Sequence, residues 1–135
     1  ENVLKYRVHS GQVSATKRQE QKENTHRIYQ IMLERMGLSV TDEMLRLHEA
    51  IASFSYQSQN IVEVNLIKDH LYSLIQANTS KLYFPQEVFS SFLSELFYNI
   101  LKRSSISKKS KVDLYFDSGF HQHFKPSLAK LKLAI

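Results

Sequence analysis

The chain has 135 residues, 42% of them apolar, with seven Tyr, eight Phe, no Cys and a formal net charge of +5. That length suits a single domain, and the aromatic content excludes a wholly disordered chain. The lack of Cys excludes disulfides, thiolate metal sites and thiol nucleophiles and favours an intracellular setting, while apolar runs no longer than triplets such as Leu82-Tyr83-Phe84 fall far short of the roughly 20 residues that span a bilayer.

The charge is sorted by position. Residues 1–36 hold seven Lys or Arg against four acids, residues 37–100 three against seven, and residues 101–135 eight against two. Basic ends around a mildly acidic, apolar middle point to a folded body whose ends meet something negative. Only three Gly and two Pro interrupt the chain, which favours helix over turn-rich sheet. Residue 1 is Glu and residues 1–13 hold no apolar signal core, as expected of a chain that has lost a leader or is a fragment.

In chain order, residues 1–13 read as an extended arm or edge strand, since Leu4, Tyr6 and Val8 alternate with Lys5 and Arg7 up to Ser10-Gly11. Residues 14–36 read as a helix, polar in its first half and then apolar through Ile28, Ile31, Met32 and Met36, with Gly37 at the C-terminal glycine position. The polar half offers no stripe to bury, so it projects into solvent or folds against a partner. A second helix, 42–56, starts at Ser39 to Thr41 with Asp42 and Glu43 at its positive end. A third, 61–77, opens with Asn60 three residues before Glu63, a reciprocal capping pattern. The fourth, 86–103, follows Pro85 and carries Phe89, Phe92, Leu93, Leu96, Phe97, Ile100 and Leu101 at helical spacing, with Val88 and Tyr98 widening the band.

Residues 104–111 form a basic connector. Val112, Leu114 and Phe116, the turn residues Asp117-Ser118-Gly119, and then Phe120, Gln122 and Phe124 read as a small β-hairpin. A last short helix from Pro126 carries Leu128, Leu131 and Leu133. The expected fold is mainly α: four main helices forming a core over residues 14–103, and a C-terminal basic connector, hairpin and helix over 104–135. Pairing of the N-terminal arm with residues 112–116 would make it α+β.

Three groups of residues carry candidate chemistry. The first is basic: Lys17, Arg18 and Lys22 on the first helix, and Lys102, Arg103, Lys108, Lys109 and Lys111 toward the C-terminus, followed by Lys125, Lys130 and Lys132. Such charges neutralise phosphates, Ser104, Ser105, Ser107 and Ser110 can add hydroxyl contacts, and Tyr115, Phe116 and Phe120 can stack on bases. Arg27 falls nearly opposite Arg18 on the helix, so the N-terminal stripe is short. The second group, His121 and His123 with Asp113 and Asp117, would face one ion from a strand, but an H-x-H pair without further context reads first as two histidines on a solvent face. The third, His48 beside Glu49 and His70 beside Asp69, reads as surface or boundary histidines, because adjacent helical residues do not face each other. No phosphate-cradling glycine loop or activated nucleophile is present.

The expected function is a non-catalytic nucleic-acid-binding accessory or regulatory domain without cofactor, holding phosphates through the eight cations named first. The alternative is a protein-interaction module, adaptor or subunit, using the polar N-terminal helix and the helix from Pro85 to Arg103. Burial of all seven stripe residues inside the monomer would count against that helix as a docking surface.

Overall fold

A computed structural model describes residues 2–125, with side chains described from residue 15 onward. Among the described residues five helices follow one another: α1 (Asn2–Arg35), α2 (Asp42–Ala52), α3 (Ile61–Lys81), α4 (Gln86–Arg103) and α5 (Lys108–Asp117), before a 3-10 turn at Phe120–Gln122. Each packs on its neighbour in sequence, α1 on α2, α2 on α3, α3 on α4 and α4 on α5, and the 3-10 turn closes against α4 and α5.

The helix ends follow from local chemistry. Thr41 Oγ1 accepts the Met44 N–H at 3.1 Å to start α2, and Asn60 and Glu63 exchange side-chain bonds with each other's backbone N–H to start α3. α1 stops in a Schellman turn, with the Leu38 N–H on the Leu33 carbonyl at 3.1 Å and the Gly37 N–H on the Glu34 carbonyl at 2.9 Å. Gly37 has φ +89°, which suits a residue without Cβ. α2 ends in the same turn, with Ser55 bonded to Ala50 and Phe54 to Ile51, but here Phe54 occupies the left-handed position at φ 58°.

The core lies mainly between α3 and α4. Val64, Ile67, Leu71 and Leu74 recur every three or four residues on α3 and are buried against Leu93, Phe97, Ile100 and Leu101 of α4, while Leu33 and Met36 bring in the end of α1 and Leu45 and Ile51 bring in α2. At about 1.5 to 3 kcal/mol for each fully buried large side chain, this stripe outweighs any surface charge term. Tyr98, on the far side of α4, is buried too: its ring meets Tyr115 of α5 at 5.5 Å and Phe124 at 5.8 Å. The widened apolar band of α4 is therefore used within the monomer, while Val88 stays exposed.

Two expected β elements are corrected. The hairpin over 112–124 is replaced by α5 and the 3-10 turn, and no strand occurs among the described residues. Its alternation covered only three residues per arm. Ser107 Oγ instead accepts the Ser110 N–H at 3.1 Å and starts a helix, Tyr115 turns inward, and Gly119 at φ +80° follows the helix end rather than linking two strands. Residues 2–13, expected as an extended arm, are the opening turns of α1. With 112–116 helical there is no strand for them to pair with, and their backbone groups are satisfied by continuing the helix. α2 also ends at Ala52, short of the expected residue 56. The expected helix from Pro126 lies outside the described residues.

Candidate anion-binding corner and apolar groove

The eight expected phosphate-binding residues divide into two sets. Lys17, Arg18 and Lys22 stand on α1 within residues 15–28, all of them exposed, while α1 packs principally on α2 through its last turns. Lys102, Arg103, Lys108, Lys109 and Lys111 come together where α4 ends and α5 begins. Lys111 Nζ donates to the Lys102 carbonyl at 3.2 Å, fastening the first turn of α5 to the last turn of α4. α1 and α5 stand at opposite ends of the packing order, so the two sets are not joined by any principal helix contact.

Ion pairs among the described residues are His26–Glu49 at 2.6 Å and Lys68–Asp69 at 3.4 Å, and neither uses one of the eight cations. At the corner, Lys102, Arg103, Lys108 and Lys109 are exposed and Lys111 is half-buried. The first turn of α5 has no acid, so its lysines sit at the positive end of the helix dipole. Self-repulsion there raises the local potential and favours an anion.

The supporting groups are fewer than expected. Tyr115 and Phe120 belong to the core, leaving Phe116, 46% exposed, as the one ring of the three able to stack on a base. Ser104 is buried with Oγ on the Leu101 carbonyl, and Ser107 and Ser110 are taken up by the α5 cap, so Ser105 keeps its hydroxyl uncommitted among the described residues. Its N–H reaches the Ser58 carbonyl at 3.2 Å and ties the corner to the α2–α3 link.

His121 and His123 lack the strand that would aim both at one ion. His121 lies in the 3-10 turn against Tyr115 and Phe116, and His123 follows the turn, exposed. Among the described residues no group of three or more His, Asp or Glu is arranged to hold a metal.

Of the two histidines expected at the surface or boundary, His48 is half-buried and His70 buried, and they face each other between α2 and α3, with Nδ1 of His48 3.0 Å from Nε2 of His70. Burial lowers the pKa of both imidazoles; His70 is pushed down to about 4, by burial first and by His48 second. Both rings border a groove of about 300 Å³ between α1, α2, α3 and α4. Of the α4 stripe, Leu93, Phe97, Ile100 and Leu101 are buried, Phe89 and Leu96 half-buried, and Phe92 is 62% exposed at the groove. The signal that could have found their burial, though not their contact, is the placement of His48 and His70 on the apolar faces of two consecutive helices.

No helix of the described residues is long and apolar enough to cross a membrane. Compared with family models, with curated proteins and with solved structures, the chain matches none.

Proposed function

We propose that the chain is a non-catalytic helical domain that holds the phosphate backbone of a nucleic acid at the α4–α5 corner, acting as an accessory or regulatory component. The observation that carries this reading is the group of Lys102, Arg103, Lys108, Lys109 and Lys111, gathered around one helix junction without a carboxylate partner among the described residues. Lys17, Arg18 and Lys22 stand elsewhere and add a separate, weaker contribution. With Tyr115 and Phe120 in the core, binding rests on phosphate contacts rather than on base stacking.

The test is titration of labelled duplex and single-stranded oligonucleotides across a salt series. Five phosphate contacts give a slope of log K against log salt of roughly −4.5 on duplex. Lys108→Glu with Lys109→Glu reduces that slope by about two, whereas Lys17→Glu with Lys22→Glu changes it less. Binding that is absent at low salt, or indifferent to the corner substitutions, overturns the reading.

A second reading, a protein-interaction module, is favoured by α1. Residues 15–28 are helical with every side chain exposed, Ile28 among them, so beyond the His26–Glu49 ion pair that ties its end to α2 this stretch has no buried face of its own. A partner packed along it supplies that face. Amide exchange in the full chain tests this: residues 15–27 exchange quickly in the isolated protein and become protected only in the complex. Strong protection in the isolated monomer overturns it.

A further inference from the structure

The groove between α1, α2, α3 and α4 is lined by apolar side chains except for the imidazoles of His48 and His70. Each ring gives one nitrogen to the bond between them. The remaining nitrogens, His48 Nε2 and His70 Nδ1, have no partner among the described residues, and neither is sealed from solvent. A neutral pair shares one N–H between its facing nitrogens, so whichever ring donates, the outer nitrogens present one N–H and one lone pair. His70 is only 6% exposed, so an unmatched polar atom on it has little bulk water to satisfy it.

The rim of the groove points the same way. Phe54 is 68% exposed and holds the left-handed position that ends α2, a conformation costly for a side chain with a Cβ. Phe92 stands exposed on α4, and Met32 supplies a deformable wall from α1. Two exposed aromatic side chains, one of them on a strained backbone, border a hollow whose polar side chains among the described residues are the two half-satisfied imidazoles. The volume of about 300 Å³ falls at the lower end of small-molecule pockets and is small for a docked helix.

We propose that this groove binds an uncharged, mostly apolar small molecule with one hydroxyl or comparable group, its body between Phe54 and Phe92 and its polar group on an outer nitrogen of the His48–His70 pair. An uncharged ligand is specified because the pair is neutral at pH 7, burial having lowered both imidazoles, and because the lining contains no Lys or Arg to meet an anion. The site is independent of the α4–α5 corner.

The test is a titration of the full chain at pH 7 with 1-naphthol and, separately, with naphthalene, which has the same body but no hydroxyl. Binding is followed by ligand fluorescence and by the imidazole C–H resonances. The expected result is one saturable site for 1-naphthol, about tenfold tighter than for naphthalene, as one added hydrogen bond supplies. Saturation shifts the His48 and His70 resonances and leaves those of His123 in place. Phe92→Ser and Phe54→Gly, both at exposed positions, each weaken 1-naphthol several-fold while the helical circular dichroism is kept. Equal affinity for the two probes, binding without a shift at either histidine, or no saturable binding overturns the proposal. So does concentration-dependent self-association that Phe92→Ser abolishes, which assigns the face to a second copy of the chain.

Discussion

The side chain of Asn78 brackets Phe84 from both sides, its Oδ1 accepting the Phe84 N–H at 2.8 Å and its Nδ2 donating to the Phe84 carbonyl at 2.9 Å. The same Nδ2 donates to Gln86 Oε1 at 2.6 Å, and Gln86 Nε2 returns to Thr79 Oγ1 at 3.0 Å. One fully buried amide thus joins the last turn of α3 to the first residue of α4 and fixes the angle at which the two core helices meet. Asn78→Ala strips both backbone groups of Phe84 of their partner inside the protein. We expect a loss of about 2 to 4 kcal/mol in urea unfolding, with Asn78→Asp costing at least as much at pH 7, because a buried carboxylate oxygen then faces the Phe84 carbonyl and Gln86 Oε1, neither of which can donate to it. A loss below about 1 kcal/mol would mean that water replaces the amide there.

Leu82 ends α3 at φ 50° with its side chain exposed. A left-handed backbone strains any residue with a Cβ, and little apolar burial compensates here. Leu82→Gly is expected to raise stability by up to about 1 kcal/mol, net of the greater freedom of glycine in the unfolded chain. Phe54→Gly, at φ 58°, behaves alike. A rise in unfolding midpoint for Leu82→Gly and Phe54→Gly together identifies backbone strain as the common cause; a fall for Leu82→Gly refutes it.

The His48–His70 pair makes stability depend on pH in a defined direction. The His70 pKa lies below its ordinary 6.5, at about 4 in the folded chain, so between those values the unfolded chain holds a proton that the folded chain refuses. Stability is therefore complete above pH 6.5, falls as the pH drops from 6.5 to 4, and loses nothing further from this group below that. The span corresponds to a loss on the order of 3 kcal/mol, to which the lowered His48 adds in the same direction. Urea midpoints between pH 7.5 and 4.5 check this, with His70→Gln as the reference. The wild type is expected to lose more over that interval than the variant, and parallel curves would show that the pair does not titrate as described.

The helices were legible wherever their signals were local. Gly37, Thr41 and the Asn60–Glu63 box mark ends that a reader of three or four neighbouring residues can see, and the α4 stripe needs only its own periodicity. The hairpin reading failed at Val112, Leu114 and Phe116 because three alternating residues cannot separate period 2 from a short helix, and the burial of Tyr115 against Tyr98 decides between them. The same limit applied to Leu4, Tyr6 and Val8. The cations of the corner were visible as a set because they lie within ten residues of one another, whereas nothing local tells whether Lys17 and Arg18 join them. The His48–His70 contact spans 22 positions and depends on how α2 lies on α3, which no spacing rule encodes.

Lys108 and Lys109 sit where helix physics disfavours them. They occupy the first turn of α5, at the positive dipole end, beside Lys111 and with no acid nearby in that turn. A residue chosen for helix stability there would be Asp or Glu, so Lys108→Glu is expected to stabilise the protein by about 0.3 to 1 kcal/mol. If the corner binds phosphate, the same change weakens oligonucleotide binding and lowers its salt slope by about one. The two measurements, unfolding midpoint and salt-dependent affinity, are expected to move in opposite directions for this single substitution. A gain in stability with unchanged affinity would show that the lysines serve no anion, and a loss of stability would show that the first turn of α5 is held by contacts other than its own charges.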